Sequence, residues 1–172
     1  MHQESHTLYK LIILYMLEKV SFSMTKSQIS NFILEQEYTD FITLQNTIGE
    51  LEDADLLVSE TIGNRTYLTI SEDGISTLSF FKNRLSTAIR NDIDIYLLEN
   101  EFQLRNEVSI LANYYKSSTS GEYEAHLLAK ERDTIIVDMK LSVPLEEMAA
   151  SICENWNKKN EQIYKYLTEQ LF

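Results

Sequence analysis

Apolar positions in the first half of the chain recur at helical spacing and then switch to an alternating pattern. Leu8, Leu11, Ile12, Leu14, Tyr15 and Met16 form a broad stripe that predicts a first helix over residues 6–20. Phe22 to Met24 is long enough only for an edge strand. Thr25-Lys-Ser-Gln28 has the form of a capping box and predicts the start of a second helix, with Ile29, Phe32 and Ile33 buried. After a turn around Gln36 to Tyr38, Thr39 or Asp40 is placed to cap a third helix. Phe41, Leu44, Ile48 and Leu51 are its expected core face, and Thr43, Gln45, Asn46 and Thr47 its opposite face. Leu56–Ile62 and Arg65–Ile70 are β-rich runs around Gly63-Asn64, a two-residue hairpin signal. Ser71-Glu-Asp-Gly74 predicts the capped start of a fourth helix through Leu85.

The second half repeats this change of period. Ser86 or Thr87 starts a connecting helix, with Ile89, Ile93, Tyr96 and Leu97 buried, that ends near Asn106. Three alternating runs follow: Val108 to Tyr114, Tyr123 to Ala129 and Ile135 to Val143, separated by turns at residues 117–121 and 131–133. Period two with one apolar face predicts an antiparallel meander covered on one side. Pro144 suits the first turn of a last helix reaching about Leu171. Its stripe is Leu145, Met148, Ile152, Trp156, Ile163 and Leu167. The expected fold is therefore α+β: an N-terminal winged helix-turn-helix over residues 1–85, then a domain over 86–172 with a connecting helix, a three-stranded antiparallel sheet and a long C-terminal helix. The apolar far end of that helix (Ile163, Leu167, Leu171) is the expected contact of a homodimer.

Composition changes the functional picture more than the fold. The 172 residues are 44% hydrophobic and 24% charged, as in a folded globular chain. No apolar run reaches the roughly 18 residues of a membrane span, the start lacks a signal-peptide layout, and one cysteine allows no internal disulfide. A cytoplasmic protein is expected, with no membrane partner. The formal net charge is −12, and through Ile70 four basic residues face ten acidic ones. Duplex binding rests largely on neutralising phosphates, so an N-terminal half at −6 must rely on amides and hydroxyls, or bind an acid-seeking protein partner instead.

Candidate chemistry follows from the helix order. Thr43, Gln45, Asn46 and Thr47 would reach base edges or phosphates, with Lys26, Ser27 and Gln28 holding the backbone and Asn64 and Arg65 at the hairpin tip. Amide side chains read adenine through paired hydrogen bonds. The plain alternative is a solvated helix face. His2, His6 and His126 have no cysteine or carboxylate at metal-ligand spacing, so no metal or cofactor is expected. Cys153 falls in an apolar stripe and reads as core. Neither a glycine-rich phosphate loop nor a nucleophile motif is found, and the expected protein is not an enzyme. Tyr114, Tyr115, Tyr123 and Trp156 would line an effector pocket or simply pack, and packing is preferred.

Thr43-Leu44, then Ile48, Leu51, Glu52, Leu56 and Leu57, then Tyr67-Leu68-Thr69 before Gly74 and Leu78, resemble PadR-like winged-helix regulators over residues 6–80. The chain departs from them at Gly49-Glu50, where such regulators often carry basic residues. Leu141-Ser-Val-Pro144, Ile152-Cys-Glu-Asn-Trp156 and Ile163-Tyr164 resemble the C-terminal signature of the bacterial domain of unknown function 4364 family, and the likeness covers essentially the whole chain. The resemblance implies a winged helix joined to an α+β half. The function expected is a DNA-binding transcriptional regulator, with an acidic winged-helix interaction module or adaptor as the alternative.

Overall fold

The structure is a computed structural model that describes residues 2–62, 65–131 and 134–172, with the backbone alone at residues 2–4 and 102. The Gly63-Asn64 turn and residues 132–133 lie outside the described residues. Two compact units divide the chain, Met1–Leu104 and Arg105–Phe172.

The first unit is arranged around α1 (His2–Lys19). Every residue from Leu11 to Leu17 is buried. This is the all-round burial expected of a helix whose apolar residues run consecutively instead of forming one stripe. It meets α3 (Phe41–Asp53), α4 (Glu72–Phe81) and β3 (Arg65–Ile70). β1 is the two-residue strand Met24–Thr25, antiparallel to β3, and β2 (Leu57–Ile62) pairs with the other edge of β3. The order is β1-β3-β2.

Local chemistry sets the helix starts. Thr25 caps α2 (Lys26–Glu35) through the predicted box: its hydroxyl accepts from the Gln28 N–H, and Gln28 Oε1 accepts from the Thr25 N–H at 3.0 Å. Asp40 caps α3 and Ser71 caps α4. Gly74 in the first turn of α4 lies so close to the Leu56 carbonyl oxygen that any Cβ there would overlap it. The Ser71 hydroxyl ties the same corner by donating to the Asp55 carbonyl at 2.7 Å.

Two boundaries differ from the periodicity. α4 ends at Phe81, and a 3-10 turn over Lys82–Arg84 leads to buried Leu85. α5 runs Thr87–Ser109, so Val108, expected to open a strand, is buried on a helix four residues after buried Leu104. The first unit also passes the 85/86 boundary, because α5 ties back to earlier elements. Tyr15 donates to Asp94, Tyr38 donates to Asp92 at 2.8 Å, and the Phe32 and Tyr96 rings sit 4.6 Å apart.

The second unit is the predicted meander, β4 (Ile110–Lys116), β5 (Tyr123–Glu131) and β6 (Thr134–Val143), in the order β4-β5-β6. A register shift lies at Ala129/Lys130, and Gly121 makes the β4–β5 turn at φ +73°. One sheet face packs on α6 (Glu146–Leu171). The buried line of α6 is Ala149, Cys153 and Trp156 against Ala125, Leu127 and Ala129. Leu145 and Met148, expected inside, are exposed. Small residues on both surfaces let helix and strand approach closely, and Trp156 fills the space, its Nε1 donating to the Leu128 carbonyl at 3.1 Å. Pro144 precedes the helix by two residues instead of occupying its first turn.

Candidate nucleic-acid interface

The helix expected to read bases, α3, is set by its neighbours on one side only. Leu44, Ile48 and Leu51 are fully buried, and the helix meets α1, α2 and β2. At about 100° per residue, Phe41 and Thr47 flank that stripe at roughly 60° on either side. The helix is turned so that Thr47 goes in (0% exposed) and Phe41 stays out (58% exposed). Both placements correct the sequence reading. Thr47 spends its hydroxyl on the Thr43 carbonyl at 2.8 Å and presents nothing outward. The outward N-terminal surface is Phe41, Ile42 (72% exposed) and Asn46, with Gln45 half-buried.

The N-terminus of α3 is occupied by its own anion. Asp40 Oδ1 accepts the Thr43 N–H at 2.9 Å and Oδ2 accepts the Thr43 hydroxyl at 2.7 Å. These bonds from Thr43 hold the Asp40 carboxyl below its ordinary pKa. Free N–H groups at a helix start attract phosphate, and here the carboxylate takes that position. Thr43 is thus committed to the cap. Gln28, expected to hold the DNA backbone, is buried at 5% exposed, and its Nε2 donates to the Leu104 carbonyl at 3.1 Å. Lys26 is half-buried, Ser27 and Arg65 are exposed, and Asn64 lies outside the described residues.

The family model described as Domain of unknown function (DUF4364) matches residues 9–171, spanning both units. The chain belongs to the DUF4364 family. Neither the curated proteins nor the solved structures gave a match. The segments that carried the resemblance fall at structural corners of this DUF4364 chain: Leu141–Pro144 closes β6, and Ile152–Trp156 crosses the core of the second unit.

Charge in the DUF4364 chain is uneven. The first unit holds seven Lys and Arg against sixteen Asp and Glu, and the second holds eight against eleven, giving −9 and −3. Carboxylates engage Lys10 and Lys19, two of the basic residues before Ile70. Lys10 Nζ lies 2.7 Å from Glu50 Oε2, and Lys19 Nζ lies 3.5 Å from Asp94 Oδ1. The Lys10 hydrogen bond and charge hold the Glu50 carboxyl below its usual range. Lys26 and Arg65 are the cations nearest the α2 start and the hairpin.

A feature the sequence reading missed is the apolar pair at the start of α3. The signal was present: Ile42, two residues before Leu44, cannot share its face at helical spacing. A cleft of about 250 Å³ between the end of α1 and α5 was also unforeseen; Phe22, Leu97 and Leu104 floor it, and Lys19, Asp94 and Glu101 rim it. The aromatic residues of the second unit are placed differently from one another. Trp156 is in the core, and Tyr115 donates to Glu124 at 2.7 Å on the sheet surface. Cys153 is buried, and burial pushes its thiol pKa up, away from the reactive thiolate. Ile163 packs half-buried against the core, Leu167 is half-buried and Leu171 is exposed. Among the described residues, no helix is long and apolar enough to cross a membrane.

Proposed function

We propose that this DUF4364 protein is a non-enzymatic, dimeric winged-helix regulator of transcription that binds duplex DNA through α3. The observation that carries the reading is topological. The order α1-β1-α2-α3-β2-β3, with the sheet arranged β1-β3-β2, supports a winged-helix reading, and the outer side chains at the start of α3 are exposed. The likeness to PadR-like regulators over residues 6–80 points the same way. In this reading Asn46 and Gln45 pair with adenine edges, and Phe41 and Ile42 meet thymine methyl groups. Lys26 and Arg65 contact phosphate. With Asp40 at the helix start, most of the specificity comes from base contacts and little of the affinity from charge. Fluorescence anisotropy against pooled genomic fragments at low salt tests it. Binding that Asn46→Ala weakens supports the reading, and no binding by a folded dimer removes it.

A second reading is favoured by one specific observation. Two strongly exposed apolar side chains, Phe41 and Ile42, begin α3 in a unit carrying −9. An apolar centre within acidic surroundings suits a protein patch with an apolar core and a basic rim. Phe41→Ser with Ile42→Ser would abolish capture of such a partner. Pull-downs that repeatedly enrich DNA and no protein count against it.

A further inference from the structure

We propose that β6 is a dimerisation strand, pairing antiparallel with β6 of a second copy about a two-fold axis at Met139, so that the two meanders join into one six-stranded sheet. The inference builds on the dimer in the functional reading and is independent of whether α3 binds DNA. It places the contact on β6 instead of the far end of α6.

Within its unit β6 is a sheet edge, ten residues long and paired with β5 on one side only. Such an edge presents a row of N–H and C=O groups that a further strand can match. α6 lies chiefly over β4 and β5. The β6 residues on its side of the sheet (Val137, Met139, Leu141 and Val143) are therefore only partly covered, and Leu141 is exposed. Pro144 follows the last strand residue, so it interrupts no ladder position.

Register is what identifies the second copy as the occupant. In an antiparallel two-fold pair, directly opposite residues lie on the same face. With Met139 on the axis, Val137 faces Leu141 of the second copy, apolar against apolar, within the regular stretch Val137 to Val143 that follows the register shift at Ala129/Lys130. On the other face Asp138 meets Lys140 and Lys140 meets Asp138. Both side chains are exposed, and one Asp138 oxygen lies 2.7 Å from His126 Nε2. Moving the axis by one residue in either direction sets Asp138 against Asp138 or Lys140 against Lys140. Among these neighbouring registers, the Met139 axis alone satisfies the charges on one face and the apolar residues on the other. Opposite charges across strands stabilise and like charges destabilise.

The test is a charge swap in the full chain, read by sedimentation equilibrium. Wild type is expected at twice the 20.1 kDa chain mass. Asp138→Lys alone and Lys140→Asp alone each create two like-charge pairs and should weaken the dimer by roughly tenfold or more. The double swap should restore it, which loss of the internal His126 contact cannot explain. As a second readout, Met139→Cys in a Cys153→Ala background should oxidise to a covalent dimer, while Leu141→Cys should not. A wild-type monomer at every concentration overturns the proposal. So does a dimer indifferent to both single reversals but dissociated by Leu171→Glu, which would return the contact to α6.

Discussion

Replacing Gln28 with alanine separates a structural role from a base-reading one. From a buried position, its Oε1 accepts the Thr25 N–H at 3.0 Å and its Nε2 donates to the Leu104 carbonyl at 3.1 Å. The first closes the capping box of α2, and the second ties α2 to α5. Alanine leaves the Thr25 N–H without that acceptor, at about 1–3 kcal/mol. Loss of the Leu104 contact adds about 0.5–1.5 kcal/mol, because a helical carbonyl keeps a second lone pair for its own ladder. The expected destabilisation is about 2–4 kcal/mol, seen as a lower urea midpoint at unchanged slope. Gln28→Glu should lose less through the cap, since a carboxylate still accepts from Thr25, while placing an oxygen against the Leu104 carbonyl. Ser27→Ala, one residue away and exposed, should stay within about 0.5 kcal/mol of wild type. The reasoning fails if Gln28→Ala keeps the wild-type midpoint and instead lowers affinity for DNA.

Other outcomes follow from the same contacts. Gly74→Ala should destabilise the first unit by more than the few tenths typical of a helix surface site, because the new methyl meets the Leu56 carbonyl; a wild-type urea midpoint would refute it. Trp156→Ala should cost about 3–5 kcal/mol by emptying the core of the second unit and removing the donor to Leu128, measured by chemical unfolding. Asp40 and Glu50 have folded pKa values below their unfolded ones, owing to Thr43 hydrogen bonds and to Lys10 respectively. Their contribution is fully present above the unfolded carboxylate pKa and is lost as pH falls through the folded values. Asp40→Ala should therefore flatten the acid limb of a stability-versus-pH curve, and an unchanged limb would show that the cap does not titrate. Tyr38 behaves in the opposite sense: burial, then the bond to Asp92, raises it to about 12, so its contribution holds below the unfolded value near 10 and is lost as pH rises through 12. Ultraviolet titration should show Tyr38 ionising late, alongside Tyr67 and Tyr115, which are also raised, and Tyr38→Phe should lower that late absorbance by one phenol.

Most elements were legible because local signals agreed with one another. The Thr25 box, the Asp40 and Ser71 caps and the three alternating runs each encode their conformation within a few residues, and the structure follows them. What the sequence hid was rotation. Phe41 and Thr47 flank the same stripe symmetrically, and only tertiary packing decides which turns inward. On α6, large Leu145 and Met148 suggested the buried side, whereas the sheet accepts small Ala149 and Cys153 beside Trp156. Gln28 shows the limit for sites: amide, threonine and hydroxyl groups suit base reading and capping equally. Their partners are set by residues far along the chain, such as Leu104.

The salt dependence of DNA binding tests the functional account most directly. In the proposed dimer, Lys26 and Arg65 of two copies would give four phosphate-neutralising groups, so the log–log slope of affinity against salt should be about −3.6. Affinity should then fall about 150-fold between roughly 50 and 200 mM salt, and Lys26→Ala should reduce the slope to about −1.8. Absence of any binding at the low-salt end, or a slope that Lys26→Ala leaves unchanged, would contradict the account.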